Sequence, residues 1–184
     1  MEFSLGESDR RALLASARES IASRLENRAP HWPPYGPALD AHCGAFVTLH
    51  EGGQLRGCIG RMSADEPLRQ VVRSMAQAAA FEDPRFKPIS RTELARIHIE
   101  ISVLSPLEDC GIEDITPGKH GALLTMGWHS GVFLPQVATE QGWDRDEFLD
   151  NLCMKAGLAP GAHRQHGARL QRFTALVFGE EAPC

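Results

Sequence analysis

Two apolar runs separated by a pair of glycines constrain the fold of this chain more than any other feature. Residues 44–50 read Gly-Ala-Phe-Val-Thr-Leu-His, residues 55–61 read Leu-Arg-Gly-Cys-Ile-Gly-Arg, and Glu-Gly-Gly-Gln lies between them. Glycine readily takes the positive φ angles that a tight hairpin turn requires. The pattern therefore predicts a β-hairpin in which residues 55–61 pair with residues 46–49.

Apolar side chains at helical spacing predict helices elsewhere in the chain. Residues 9–27 and residues 68–80 each carry one apolar stripe. An Asp-x-x-Glu pattern, typical of a capping box, predicts a third helix over residues 144–156, and Gly157 is a natural end for it.

Alternating apolar and polar residues predict further strands. Residues 97–103 are the clearest case, because isoleucines and a valine share one face and polar side chains share the other. Short strands are predicted at residues 122–126 and 132–134 around a turn at residues 127–131. A last strand is predicted over residues 170–178.

These elements favour an α+β fold with a mixed, largely antiparallel sheet, because hairpins rather than strict βαβ units connect them. We expect several helices to pack on the sheet and two lobes to enclose a cleft. The length of 184 residues suits a single domain, residues 1–184. Residues 1–43 would form a helix and a proline-rich arm, and residues 44–178 would form the body.

Composition excludes several classes of protein. The net charge is −5 and no Lys/Arg-rich run offsets it, so nucleic-acid binding by charge is disfavoured. No stretch approaches the ~20 apolar residues of a membrane span, and residues 1–8 lack a secretory signal. The odd cysteine count and the lack of Cys-x-x-Cys pairs argue against a disulfide framework and predict a reduced, cytoplasmic protein. The cysteines are Cys43, Cys58, Cys110, Cys153 and Cys184.

Cys58 is the sharpest candidate for chemistry. It lies between Gly57 and Gly60, which leave room for a ligand or another backbone to approach. Arg56 would point to the same face as Cys58 in a regular strand, where its charge would favour the nucleophilic thiolate. The alternative is that Cys58 is a small buried hydrophobic residue in a tight hairpin.

Several ordered motifs resemble the AMMECR-type domain family. They include Phe-Val-Thr-Leu at residues 46–49, Leu-Arg-Gly-Cys-Ile-Gly at 55–60, Ala-Phe-Glu-Asp-Pro-Arg-Phe at 80–86 and Leu-Pro-Gln-Val at 134–137. The bacterial and archaeal members are also called AmmeMemoRadiSam system protein A. The resemblance implies association with a Memo-like protein and a radical SAM protein. It implies no established activity and names no cofactor.

The resemblance also carries over candidate site residues, and each has a structural alternative. Glu100 could be a base, or one charge on a solvated sheet face. Asp83 and Arg85 could bind substrate, or fix a loop through an Asx turn and an ion pair. His120 could carry a proton, or bond to the backbone. The full set is Arg56, Gly57, Cys58, Gly60, Asp83, Arg85, Glu100, His120, Gln136 and Glu140.

Two functions follow as hypotheses. In the first, the protein is an enzyme with Cys58 as nucleophile, Glu100 or His120 as proton carrier and the other carried-over residues contacting substrate. In the second, it is a non-catalytic binding module of the same pathway with a structural Cys58. We predict that Arg56, Cys58, Glu100 and His120 line one concave site. No metal is expected, because His163 and His166 lack a third ligand.

Overall fold

The computed structural model describes residues 4–63 and 65–180, which divide into two compact units. The first unit runs to Leu104 and resumes at Leu176, and the second is Ser105–Ala175. Cys184 and residues 1–3 lie outside the described residues. Five α-helices and two four-stranded sheets are present in the described part, which confirms the α+β class.

The helices and strands have the following bounds. In chain order the helices are α1 (Glu7–Glu26), α2 (Leu68–Phe81), α3 (Arg91–Leu94), α4 (Pro135–Gln141) and α5 (Arg145–Lys155). The strands are β1 (Ala45–Glu51), β2 (Gln54–Arg61), β3 (Ile97–Leu104), β4 (Glu108–Asp109), β5 (Gly121–Met126), β6 (His129–Phe133), β7 (Arg169–Phe173) and β8 (Ala175–Gly179). None of these helices combines the length and apolar composition that crossing a bilayer requires.

The first unit is built on a sheet with the strand order β2-β1-β3-β8, so that β2 is an edge strand. The predicted hairpin is confirmed: β1 and β2 are antiparallel, and Gly52 and Gly53 have φ angles of 58° and 78° in the turn. Helices α1 and α2 pack against one face of the sheet. Their predicted apolar stripes are buried there with Val47, Leu49 and Ile101.

Helix α3 was not predicted, although a local signal for it is present. The Ser90 hydroxyl accepts a hydrogen bond from the Glu93 N–H, and the Glu93 carboxylate accepts one from the Ser90 N–H. This is a complete capping box, and it follows directly from the Ser-x-x-Glu spacing. Glu93 also accepts hydrogen bonds from Arg56.

The second unit is built on a sheet with the order β4-β7-β5-β6, on which α4 and α5 pack. The predicted capping box of Asp144 and Glu147 is present at the start of α5. Gly142 ends α4 with a φ of 67°, which a residue with a side chain rarely adopts. The core of this unit centres on Phe148 and Leu124.

Two strand predictions are wrong in this part of the chain. Strand β6 begins at His129 and not at residue 132, because Gly127, with a φ of 59°, permits a shorter turn. The single strand predicted over residues 170–178 is two strands in different sheets. They separate at Thr174, whose N–H donates to Ser105 Oγ and whose carbonyl accepts from the Ser105 N–H, both at 2.9 Å.

Candidate functional site

Cys58, Thr48 and Glu100 form a row across three adjacent strands of the first sheet. Thr48 pairs with Cys58 on one side and with Glu100 on the other. Because neighbouring strands lie ~4.8 Å apart, Cys58 and Glu100 are roughly 10 Å from each other with Thr48 between them. Gly57 faces α2, so its neighbour Cys58 and the whole row lie on the opposite face of the sheet.

The Cys58 thiol is half-buried and has a polar neighbour. Thr48 Oγ1 lies 3.3 Å from Cys58 Sγ and can donate a hydrogen bond to it. A hydroxyl in this position stabilises negative charge on the sulfur. The thiol is therefore not enclosed by apolar side chains, as the purely structural alternative would require.

Asp83 and Arg85 hold the main chain of Cys58 from the free side of β2. Asp83 Oδ2 accepts a hydrogen bond from the Cys58 N–H at 2.9 Å, and Arg85 Nη2 donates to the Cys58 carbonyl oxygen at 3.2 Å. An edge strand otherwise leaves these groups without protein partners. This pair of contacts, which we name the edge clamp, therefore fixes the nucleophile candidate in the strand.

The edge clamp has a buried acidic end and an exposed basic end. Asp83 Oδ1 accepts from both the Arg85 N–H and Arg85 Nε, so the predicted Asx turn and ion pair are present. The side chain of Asp83 is 2% exposed, whereas that of Arg85 is 54% exposed. Hydrogen bonds from Arg85, and then from the Cys58 N–H, hold the pKa of Asp83 far below its ordinary value. Asp83, and to a smaller extent Cys58, raises the pKa of Arg85.

The side chain of Arg56 contacts Glu93 and not the surroundings of Cys58. The register shifts between Leu49 and His50, which pair with Gly57 and Leu55, so Arg56 is the extra residue of a β-bulge. Strand β2 is thus not regular here, which was the condition for placing both side chains on one face. Arg56 Nε and Nη2 instead contact Glu93 Oε1 at 3.0 and 2.9 Å.

Protein atoms make the close approaches at both glycines of the motif. A Cβ atom on Gly57 would lie 2.2 Å from the carbonyl oxygen of Ala79 in α2. A Cβ atom on Gly60 would lie 2.2 Å from the ring of Phe46, its cross-strand partner. The lack of side chains at these positions therefore serves helix and ring packing.

A groove begins one row away on the same sheet face. His50 and His98 are register partners with ring centroids 6.4 Å apart, and they line a cavity of about 750 Å³ together with the hairpin turn and Arg96. This histidine pair was not predicted from the sequence. The alternation of β3 already placed His98 beside Glu100, but pairing it with His50 required the strand register.

The other three predicted site residues belong to the second unit. His120 is buried, and its Nδ1 accepts a hydrogen bond from the Thr116 N–H at 3.0 Å. Burial, followed by Arg172 and Lys119, lowers its pKa. Because the backbone N–H can only donate, the neutral ring carries its proton on Nε2.

Gln136 and Glu140 lie one turn apart on α4. Gln136 is half-buried, and its Oε1 has no hydrogen-bond partner within the described residues, whereas Glu140 is exposed. The placement of His120, Gln136 and Glu140 with Cys58 in one concave site stays a prediction.

Comparison with known proteins decides the family. The AMMECR1 family model matches residues 14–178 of the 184. The chain belongs to the AMMECR1 family. A curated protein of Methanothermobacter thermautotrophicus is 45% identical over 145 residues, which cover 75% of this chain and 76% of that protein. Protein SSO0193 of Saccharolobus solfataricus is 39% identical over 97% of this chain and 85% of its own.

A solved structure of an AMMECR1-like fold supports the same assignment. The crystal structure of the uncharacterized protein PH0010 from Pyrococcus horikoshii superposes with a TM-score of 0.85 at 35% sequence identity. The match covers 95% of this chain and 94% of that chain. The family and its fold are thus shown, and these relatives bring no stated activity with them.

The sequence did not predict a cysteine–histidine pair that lies in the second unit of this AMMECR1 chain. Cys153 Sγ lies 3.4 Å from His163 Nδ1, and both side chains are fully buried in the second unit. Burial, and then Arg164, lowers the pKa of His163. No group of three or more His, Cys, Asp or Glu side chains in the described residues is arranged to hold a metal.

Proposed function

We propose that this AMMECR1 protein is a cysteine-dependent enzyme whose nucleophile is Cys58. One observation carries the proposal: the half-buried thiol accepts a hydrogen bond from Thr48, and the guanidinium of Arg85 donates to the carbonyl oxygen of the same residue. A nearby cation and a hydroxyl donor both favour the thiolate, which is the nucleophilic form of cysteine. Cys58 would attack an electrophilic carbon of the substrate.

The proposal gives Glu100 and His120 different tasks. No histidine or carboxylate side chain of the described residues hydrogen-bonds to Cys58 Sγ to take its proton. Glu100, roughly 10 Å from Cys58 along the row, would exchange a proton with the substrate or with water rather than with the thiol. His120 would act as a hydrogen-bond donor through Nε2, because Nδ1 is occupied by the Thr116 N–H. Its lowered pKa keeps it neutral near pH 7.

The substrate contacts carried over from the family motifs divide into two groups. Arg85 has the exposed guanidinium, and Gln136 has an acceptor oxygen without a partner among the described residues. Arg85 is the stronger candidate to touch substrate, because the Gln136 oxygen is buried and would have to become accessible first. Arg56, Gly57, Gly60 and Asp83 would act by holding the shape of the site, since protein atoms occupy their surroundings. Glu140 would contribute an exposed carboxylate.

We also propose that the protein works with a Memo-like protein and a radical SAM protein in one modification pathway. The support is the family resemblance of its motifs. Co-expression of the three proteins, followed by purification of this chain, tests it. We expect the radical SAM or Memo-like protein to co-elute with this chain, or the products of the mixture to change. Three independent elution profiles with unchanged products would contradict the association.

The nucleophile is tested by two substitutions in a strain that lacks the wild-type gene, with the phenotype of the deletion as the readout. Cys58→Ser keeps the shape but is far less ionised near neutral pH, so we expect loss of function in a folded protein. Cys58→Ala should lose function equally. A folded Cys58→Ser variant that fully restores the phenotype would rule out the nucleophile.

A binding module is the second candidate, and two observations favour it. No histidine or carboxylate side chain of the described residues hydrogen-bonds to Cys58 Sγ, and the groove beside His50 and His98 offers about 750 Å³ for a ligand. In that case substitutions in the groove, such as His50→Ala, should abolish function while Cys58→Ser does not. The same strain distinguishes the two proposals.

A further inference from the structure

We infer that the Cys58 site takes a substrate with an oxyanion group, a carboxylate or a phosphate, which binds to the exposed end of Arg85. The inference rests on the proposed function, because it names the substrate class of that site. It depends on how the edge clamp is oriented, on the charges around it and on the rigidity of the Arg85 side chain.

The two residues of the edge clamp form an ion pair, yet only the positively charged Arg85 faces solvent. Four hydrogen bonds surround the Asp83 carboxylate: two from the Arg85 side chain, one from the Arg85 N–H and one from the Cys58 N–H. With 2% exposure, this carboxylate is out of reach of a ligand, whereas 54% of the Arg85 side chain is exposed. An approaching anion therefore meets the guanidinium and not the carboxylate.

The neighbouring charges do not cancel this positive end. Arg56 and Glu93 form their own ion pair at 2.9 Å and neutralise each other. The ring of Phe86 is near both guanidiniums, with its centroid 5.4 Å from Arg85 Cζ and 5.8 Å from Arg56 Cζ. Lys87, the next residue, is exposed and adds a second positive charge.

Arg85 is already held in one conformation before a ligand arrives. Nε donates to Asp83, and Nη2 donates to Asp83 and to the Cys58 carbonyl oxygen, whereas Nη1 has no hydrogen-bond partner within the described residues. A guanidinium fixed in this way loses little side-chain entropy when it binds an anion. An oxyanion on Nη1 would place the rest of the substrate next to residue 58, where the proposed nucleophile lies.

Two alkylating probes of similar size and different charge test the inference. In both reactions the Cys58 thiolate attacks the methylene carbon, a C–S bond forms, the C–I bond breaks and iodide leaves. Iodoacetate carries a carboxylate and iodoacetamide is neutral. The measured quantity is the ratio of the two rate constants at Cys58, resolved by peptide mass spectrometry and divided by the same ratio for glutathione.

We expect this normalised ratio to be above one in the wild-type protein and to fall about two- to fivefold in Arg85→Gln, the loss that one exposed charge contact gives. Arg85→Lys should keep part of it, and added salt should lower it in the wild type. Arg61→Gln is the matched control, since Arg61 is about as exposed as Arg85, lies on β2 with Cys58 and pairs with Glu66. Circular dichroism and the melting temperature report whether each variant is folded.

The outcomes separate the two claims. A ratio that is the same in the wild type, Arg85→Gln and Arg61→Gln, and that does not respond to salt, contradicts the binding of an oxyanion. Slow reaction of Cys58 with both reagents, at a rate no higher than glutathione, contradicts the nucleophile itself. If Arg85→Gln fails to fold, the salt dependence of the wild-type ratio together with the ratio for Arg85→Lys decides the inference.

Discussion

Cys58 and Cys153 both have a hydrogen-bonding side chain within reach of the sulfur, yet their surroundings are opposite. Cys153 has a histidine, the partner most often associated with a nucleophilic cysteine, and an aspartate whose Oδ1 lies 3.7 Å from the His163 ring. Both side chains of that pair are closed off from solvent. The Cys58 sulfur has only a threonine hydroxyl, but it is not fully buried, and an arginine donates to the carbonyl oxygen of the same residue.

The difference shows that the identity of a partner does not decide reactivity by itself. Burial, and then Arg164, lowers the pKa of His163, so the imidazole beside Cys153 favours its neutral form. His163 Nδ1 lies near both Cys153 and Asp150, and its Nε2 is buried without a partner among the described residues. A catalytic triad would need one ring nitrogen for each partner.

The largest predicted difference between the two cysteines is in labelling by iodoacetamide. Cys153 reacts only when its unit opens locally, so we expect it to react at least about a hundredfold more slowly than Cys58 in the folded protein at pH 7. Peptide mass spectrometry at timed intervals gives both rates from one sample, and urea-unfolded protein is the control. Comparable rates for Cys153 and Cys58 in the folded state would contradict the claim that burial makes Cys153 the less reactive cysteine.

Removal of each sulfur should affect stability in the reverse order. Cys153→Ala leaves a small cavity and a buried imidazole without its partner, so the free energy of unfolding should fall by about 2–3 kcal/mol. Cys58→Ala, at a half-exposed position, should cost about 1 kcal/mol or less. Urea unfolding measures both, and Cys153→Ser, which keeps a polar partner for His163, is the control. A larger loss for Cys58→Ala would identify it as the structural cysteine.

Asp83→Asn tests, through the pH dependence of the free energy of unfolding, whether the Asp83 carboxylate stabilises the edge of β2 near Cys58. Its low folded-state pKa means that the carboxylate stabilises the fold fully above the unfolded-state value of about 3.9 and loses this effect as pH falls towards the folded-state pKa. We expect Asp83→Asn to lower the free energy of unfolding by about 2 kcal/mol at pH 6. The difference in free energy of unfolding from wild type should shrink as pH falls from about 4 to about 2.

Urea titrations of both proteins across this pH range provide the measurement. Asp150→Asn in the second unit is the control, because its carboxylate accepts from the Gly161 N–H at 2.8 Å but pairs with no arginine within the described residues. A gap for Asp83→Asn that stays constant with pH would mean that the carboxylate charge does not hold the edge of β2.

Thr48→Val has the smallest expected effect and concerns only the sulfur. Valine keeps the size of threonine and removes the hydroxyl that donates to Cys58. The rate of Cys58 alkylation at pH 7 should fall about two- to fivefold, which corresponds to the loss of one modest hydrogen bond. The rate at Cys110 should not change, and an unaltered Cys58 rate would remove Thr48 from the account.

Local patterns of the sequence were sufficient for much of the fold. The double glycine predicted the hairpin, alternation predicted β3, and the capping box of Asp144 and Glu147 predicted the start of α5. These signals depend on residues within one or two turns of each other. Glu93 could have been found in the same way, because Ser90 lies three residues before it.

Features that depend on distant residues could not be predicted. The split at Thr174 contains neither glycine nor proline, and Ser105 supplies its partner from the other end of the unit. The bulge at Arg56 follows from how β1 and β2 align, which no single residue marks. The contact of Asp83 with the Cys58 N–H crosses 25 residues, so the motif was recognised without its physical role.

The rate of Cys58 alkylation at pH 7, relative to that of Cys110, tests the central claim most directly. Cys110 is the internal control, because it is also half-buried but lies where burial raises its pKa. If Thr48 and Arg85 stabilise the thiolate, Cys58 should react faster than Cys110. A Cys58 rate equal to or below that of Cys110 would contradict a reactive thiol at the edge of β2.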